Sequence, residues 1–153
     1  MDYAQPPQAI LTALVNHSNG TVFTPEQLVF GLPEVLLPTD PRNTKVLVTA
    51  SDPELFTGTV ALYYDRLSFA TLAEDRSIAY GRGEALKVSD LLPVISARYG
   101  VVILAADIVD QDLPAAQMPP VPQTFTLQAA AGSLLWVGQA TYELPAIAPQ
   151  PDA

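Results

Sequence analysis

The sequence of 153 residues contains no cysteine and a single histidine, His17. Without cysteine, the chain cannot form a disulfide, a thiolate nucleophile, a zinc–thiolate site or an iron–sulfur cluster. One histidine excludes a metal site that is built from several histidines of one chain. Charged residues are also scarce, at 15%, where about a quarter is usual. These absences exclude most of the common catalytic and metal-binding chemistries, and we expect no cofactor.

Basic residues are the scarcer of the two charge types. Seven Lys/Arg against sixteen Asp/Glu give a net charge of −9. Nucleic acids and anionic membranes are bound by clustered Lys and Arg, so we expect neither as a partner. All the basic residues lie between Arg42 and Arg98, and from Tyr99 onward the chain has acids and no base. This distribution is typical of a solvated acidic surface; the alternative is a surface that faces a basic partner.

We expect one domain over residues 1–153, made in a reducing cytoplasm without a targeting segment. The first seven residues have no basic region and contain two prolines. The most apolar stretch, residues 91–109, includes Pro93, Arg98 and Gly100 and is therefore unsuited to span a membrane. Fifteen prolines are concentrated in residues 113–122, which we expect to be a long ordered loop, and in a tail at 146–153. The tail is expected to be free or to lie along a neighbouring molecule.

A weak internal duplication relates residues 8–67 to residues 88–145 with an offset of 80 to 81. Leu32-Pro33 corresponds to Leu113-Pro114. The spacing from Gly20 to Gly58 is 38 residues, and the spacing from Gly100 to Gly138 is the same. The duplication predicts two structurally similar halves.

Each half begins with a predicted helix. One apolar helix face comprises Ile10, Leu11, Leu14 and Val15, and the other comprises Leu91, Leu92, Ile95 and Tyr99. Asp90 is a predicted N-cap that places Pro93 in the first turn. Gly20 and Gly100 are predicted to end the helices. Thr24 followed by Pro25 predicts a single helical turn further along the first half.

Two predicted strands complete each half as an antiparallel hairpin. Residues 44–50 alternate around Val46 and Val48, and residues 60–64 alternate around Leu62; the second half has matching patterns around Phe125, Leu127, Ala140, Tyr142 and Leu144. Residues 67–80 predict further strand between the halves. The predicted fold class is therefore α+β and strand-dominated, with two weakly repeated helix-plus-β-hairpin halves merged into one pseudo-symmetric domain around one core.

The polar candidate sites are weak. His17 is expected to contact free carbonyls at a helix end. Asp107, Asp110 and Asp112 form the densest carboxylate cluster, but they lack the spacing of a calcium loop; a solvated loop with an N-cap at Asp107 is the main interpretation, and a cation site is the alternative. Gly81-Arg82-Gly83 is too short for a phosphate-binding loop. No catalytic residue is assigned.

The aromatic residues near the hairpins are the candidate interface residues: Tyr63, Trp136 and Tyr142. Alternation places Tyr64 inward and Tyr63 outward. Packing in the core is the simpler interpretation of these rings. The alternative is that they are interface anchors, since Tyr and Trp are enriched in the buried centres of interfaces.

The chain resembles a family of uncharacterised virion structural proteins of tailed bacteriophages. The resemblance rests on residues 42–50, 56–67, 95–101, 106–110 and 127–138. It implies a non-enzymatic component of the virion, with other virion proteins as partners, and we expect a homo-oligomer on the particle exterior as a capsid decoration, collar or tail-fibre/baseplate attachment protein. A carbohydrate- or receptor-binding module is the alternative function, and a hydrolase with two facing carboxylates is a third.

Overall fold

The computed structural model describes residues 2–73, 80–117 and 121–145, in which three α-helices and eight β-strands form an α+β fold. The elements in chain order are α1 (Pro7–Asn19), β1 (Leu28–Phe30), β2 (Glu34–Val35), β3 (Thr44–Ala50), β4 (Val60–Tyr64), β5 (Leu67–Ser68), α2 (Phe69–Ala73), α3 (Leu92–Tyr99), β6 (Gln123–Gln128), β7 (Trp136–Val137) and β8 (Gln139–Leu144). The predicted α+β class is confirmed, with helix and strand in about equal shares instead of an excess of strand. The predicted tail at 146–153 and part of the proline-rich loop lie outside the described residues.

The two longer helices end in the same way. Gly20 and Gly100 have φ angles of 64° and 65°, and their amides donate to the carbonyls of Asn16 and Ser96. Glycine favours this left-handed conformation because it has no Cβ. The predicted helix ends are therefore confirmed. The prediction for Asp90 is wrong: its carboxylate accepts from the amides of Leu86 and Lys87, which begins a 3-10 turn at Val88–Leu91 before α3.

Two antiparallel ladders form most of the sheet structure. In the first, β3 pairs with β1 and β2 along one side and with β4 along the other. In the second, β6 pairs with β8. Both hairpins were predicted, because their alternation places Val46, Val48, Phe125 and Leu127 in the interior.

The registers of the two hairpins are equivalent. Thr44 pairs with Tyr64 and Val46 with Leu62, while Gln123 pairs with Leu144 and Phe125 with Tyr142. The neighbouring backbone bonds match as well. The Ser51 amide donates to the Gln27 carbonyl at 2.9 Å, and the Ala130 amide donates to the Asp107 carbonyl at 2.9 Å.

The buried side chains form two apolar clusters, whereas the sequence predicted one shared core. The N-terminal cluster contains Leu11, Val15, Leu28, Val46, Val48, Leu62 and Tyr64. The C-terminal cluster is larger and is centred on Ile95, Leu127, Leu135 and Trp136. The two clusters meet at α1, where Ile10 belongs to the C-terminal cluster and Leu11 to the N-terminal one. Each hairpin therefore buries its inner face against its own surroundings, with α1 between them.

The segment between the halves differs from the predicted strand. Of its described residues, 67–73 and 80, only Leu67–Ser68 forms strand, in parallel pairing with Trp136–Val137. The chain then enters α2, where Phe69 stacks on Trp136 with ring centroids 5.1 Å apart. Residues 74–79 of the predicted strand lie outside the described residues. The partner of this segment lies in the other half of the chain, so its conformation is determined by non-local contacts.

Candidate functional site

A buried polar cluster joins the two halves through Arg66, Ser133 and Asp107. The Arg66 guanidinium donates to the Thr44 hydroxyl at 3.0 Å and to the Ser133 carbonyl at 3.1 Å. The Ser133 hydroxyl donates to Asp107 Oδ1 at 3.0 Å, and the Leu104 amide donates to Asp107 Oδ2 at 2.9 Å. Burial lowers the pKa of Arg66 and raises the pKa of Asp107. Because all three side chains are buried and hydrogen-bonded, we interpret the cluster as structural.

The three clustered aspartates do not converge. The predicted N-cap at Asp107 in a solvated loop is wrong, as it is for Asp90. Asp107 is the last residue of the 3-10 turn Ala105–Asp107, and its buried carboxylate accepts from the amide of Leu104, which precedes the turn. The Asp110 carboxylate accepts from the amide and the hydroxyl of Ser89 at 3.0 and 2.7 Å, which lowers its pKa. Asp112 pairs with Lys87 through the backbone. Among the residues that the structure describes, no three His, Asp or Glu side chains are placed to hold a metal ion.

The other polar candidates lie apart from one another. His17 is exposed in the last turn of α1. The Arg82 guanidinium donates to the Pro114 carbonyl, so it contacts the backbone of a neighbouring loop.

Two of the three aromatic interface candidates are wrong as surface anchors. Trp136 is 0% exposed and Tyr142 is 2% exposed. Trp136 stacks on Phe69, and Tyr142 stacks on Phe125 at a centroid distance of 5.5 Å. Both rings are core residues and are not available to a partner. Tyr63 is 55% exposed and remains a candidate.

Tyr63 belongs to an exposed apolar surface that was not predicted from the sequence and that the strand pairing brings together. Four inner residues of β3 and β4 are buried, Val46, Val48, Leu62 and Tyr64, so the positions between them point to the opposite side of the sheet. On this side of the sheet, Leu47 pairs with Ala61 and Tyr63 pairs with Lys45. Val29 belongs to β1, which flanks β3 on the side away from β4. We call Val29, Leu47, Ala61 and Tyr63 the outer face.

The second hairpin gives an internal comparison for the outer face. At the positions equivalent to Leu47 and Tyr63, it has Thr126 and Glu143. The position equivalent to Ala61 is Thr141, which is also polar. At these three positions the matched register is apolar in the first half and polar in the second, whereas the equivalent of Val29 is Val109, which is also apolar and exposed. Alignment of the two halves could have shown this difference from the sequence.

A shallow cleft of about 290 Å³ lies on the inner side of this sheet, at the C-terminal end of α1, where Val48 and Val60 line it together with Phe23 and Phe56. A second cleft, of about 280 Å³, lies beside Tyr63 and is lined also by Leu36, Asp40, Pro41 and Arg42. At its rim, Arg42 forms an ion pair with Asp65 at 2.9 Å. The hydrogen bond from Arg42 lowers the pKa of Asp65.

Comparison with known proteins identifies the family. The model of a family of unknown function, DUF7941, matches residues 1–146. The chain belongs to this family. No curated protein and no solved structure matches the chain. Within the described residues, none of the helices has both the length and the apolar character that crossing a membrane requires.

Proposed function

We propose that this DUF7941 chain is a non-enzymatic structural subunit of a tailed-bacteriophage virion that docks on another virion protein through its outer face. The observation that carries the proposal is the apolar character of Leu47, Ala61 and Tyr63 beside the polar character of their equivalents in the second hairpin. The assignment to a virion rests on the sequence resemblance. An exterior position as a capsid decoration, collar or tail-fibre/baseplate attachment protein is part of the proposal.

The outer face has the composition of an interface. Leu47 and Val29 are each about half exposed, at 48% and 49%. Contiguous exposed apolar residues on a small protein often mark a binding surface, and tyrosine is a common energetic centre of such surfaces. The second hairpin indicates that the same ladder is compatible with polar residues at these positions. Hence the apolar residues are not needed to form the hairpin, and we attribute them to binding.

A double variant tests the proposal by giving the first hairpin the residues of the second. Leu47→Thr with Tyr63→Glu is expected to reduce incorporation into purified particles by at least about tenfold, because loss of one or two interface anchors costs roughly 2 kcal/mol or more. Its melting temperature should stay close to that of the wild type, since both side chains are half exposed.

The matched control is Thr126→Ser with Glu143→Gln at the equivalent positions of β6 and β8. This variant should be incorporated like the wild type. Normal incorporation of the Leu47/Tyr63 variant, or absence of the wild-type chain from the particles, would contradict the proposal.

A carbohydrate- or receptor-binding module is the second candidate, and the cleft beside Tyr63 favours it. The exposed Tyr63 ring could stack on a sugar while Asp40 and Arg42 supply polar contacts. Trp136 cannot take part because it is buried. Binding to a glycan array that is lost in Tyr63→Ala and kept in Tyr3→Ala would support this candidate function. If the wild-type chain binds no glycan, this candidate function is wrong.

A further inference from the structure

The main-chain groups at one edge of β4 point away from the sheet. The Leu47 carbonyl accepts from the Gly31 amide at 2.8 Å, on the β1 side of β3. In an antiparallel ladder, the main-chain groups of one residue point to one side only, and successive residues point to opposite sides. Leu47 therefore makes no ladder bonds to its partner Ala61. It follows that the N–H and C=O groups of Ala61 and Tyr63 point to the outer edge of β4.

This edge has no partner within the described residues, where β4 pairs with β3 alone. The equivalent edge of β8 is different. There the Tyr80 amide donates to the Glu143 carbonyl at 2.9 Å, and α2 contacts β8. β8 also contains a charge, Glu143, and is followed by Pro145.

Charges, prolines and covering segments are the usual protection of a free edge against pairing. The segment Val60–Tyr64 contains no charge and no proline. The first half thus lacks at β4 the protection that the second half has at β8.

We propose that β4 pairs with β4 of a second copy, antiparallel and about a two-fold axis at Leu62. Ala61 of each copy then lies opposite Tyr63 of the other. Both residues direct N–H and C=O groups to this edge, so the two pairs can form four main-chain hydrogen bonds. The four-stranded sheets of the two copies become one continuous sheet, and the two outer faces become one surface. The inference goes beyond the proposed function, because the pairing does not require a virion partner.

The uncharged segment Val60–Tyr64 lets β4 of a second copy approach without contact between like charges, and the distribution of charge around it favours the antiparallel direction. The end of the hairpin where Thr44 pairs with Tyr64 holds three basic residues and three acids, so its formal charges cancel: Arg42, Lys45, Arg66, Glu34, Asp40 and Asp65. The loop at the opposite end, residues 51–59, contains Asp52 and Glu54 and no base. Antiparallel pairing places the acidic loop of each copy near the end of the other copy where the charges cancel, and it keeps the two acidic loops apart. Parallel pairing would place the acidic loops side by side, which is unfavourable for a chain of net charge −9.

Disulfide trapping tests the register. Ala61→Cys and Tyr63→Cys proteins are purified separately, mixed and oxidised mildly; the native chain has no cysteine, so every cross-link reports the introduced thiols. Directly opposed residues are about 5.5 Å apart between Cα atoms, within reach of a disulfide. The two-fold copies of one residue are diagonal and roughly 7–8 Å apart. We therefore expect cross-linked dimer in the mixture at several times the yield of either protein alone.

The matched control is a mixture of Thr141→Cys and Glu143→Cys at the equivalent positions of β8, which should cross-link only at background level. A β4 mixture that cross-links no better than the β8 mixture would overturn the inference. Sedimentation of the wild-type chain should show a dimer that Ala61→Pro converts to a monomer, because the Ala61 N–H is not used in the β3 ladder. A monomeric wild type would also overturn the inference. If Ala61→Pro fails to fold, the trapping result decides.

The test of β4 pairing and the test of docking through the outer face can fail independently of each other. Without β4 pairing, the Leu47→Thr/Tyr63→Glu variant could still lose its place in the particle. With β4 pairing and normal incorporation of that variant, the proposed docking surface is wrong and the dimer stands.

Discussion

The side chain of Arg66 donates a hydrogen bond to the main-chain carbonyl of Ser133, 3.1 Å away. Arg66 follows β4 in the first half, and Ser133 lies in the β6–β8 connection of the second. Next to this bond, the Tyr64 hydroxyl donates to the Leu134 carbonyl. Burial raises the pKa of Tyr64 to about 12, so the hydroxyl remains a donor over the neutral pH range. These two bonds tie the corner after β4 to a short segment of the second half.

Replacement of Arg66 by lysine should destabilise the fold. The ammonium group cannot match the geometry with which the guanidinium reaches both the Thr44 hydroxyl and the Ser133 carbonyl, and a buried acceptor without a donor costs about 1–3 kcal/mol. Urea unfolding measures the loss. Arg42→Lys is the control, because the Arg42–Asp65 pair is exposed on both sides and should change the free energy of unfolding by less than about 1 kcal/mol. Equal effects of the two variants would argue against a structural role of the Arg66 bonds.

Asp107 should make stability fall with rising pH in the acid range. Burial raises the pKa of its carboxyl in the folded state, so the folded chain holds this proton more tightly than the unfolded chain. The free energy of unfolding therefore decreases as the pH rises from the unfolded-state pKa, about 3.9, through the folded-state pKa. The side-chain amide of an Asp107→Asn variant would not titrate. Urea unfolding at several pH values gives the free energy of unfolding of the wild type and of Asp107→Asn. The wild-type value minus the variant value should decrease across this pH window and stay constant above it. A difference that rises with pH would contradict the assignment.

Two equivalent glycines should respond differently to alanine. Gly58 and Gly138 both have positive φ, at 88° and 75°, where an alanine costs about 1–2 kcal/mol. A Cβ at Gly138 would also lie 2.9 Å from Ser68 Oγ, whereas a Cβ at Gly58 would meet nothing within 4 Å. Thermal unfolding should show a larger loss for Gly138→Ala than for Gly58→Ala. Addition of Ser68→Ala should recover part of the stability that Gly138→Ala loses. Strictly additive effects of the two substitutions would show that the contact with Ser68 Oγ does not cause the loss.

The local elements could be predicted from the sequence because their signals are local. Alternation determined the faces of β3 and β6, and the positive-φ glycines at 20 and 100 ended α1 and α3. The segment after β4 could not be predicted in this way. Leu67 and Phe69 have the composition of a strand, but their conformation is set by Trp136, which lies in the other half.

The candidate site was predictable only in part, for a related reason. Alternation placed Tyr63 outward correctly, since its neighbour Tyr64 must fill the N-terminal cluster. The burial of Trp136 depends on Phe69, and the burial of Tyr142 depends on Phe125 and on Tyr99, whose hydroxyl lies 3.3 Å from that of Tyr142. Composition alone does not distinguish such rings from interface anchors.

Hydroxyl-radical footprinting of Tyr63 tests the proposed docking most directly. The free protein and purified phage particles are oxidised in parallel, and the modification of Tyr63 is compared with that of Leu86, an exposed residue just before the second half. Docking through the outer face predicts that Tyr63 is strongly protected in the particles while Leu86 remains reactive. Equal oxidation of Tyr63 in the two samples, or particles that do not contain the chain, would contradict the proposed function.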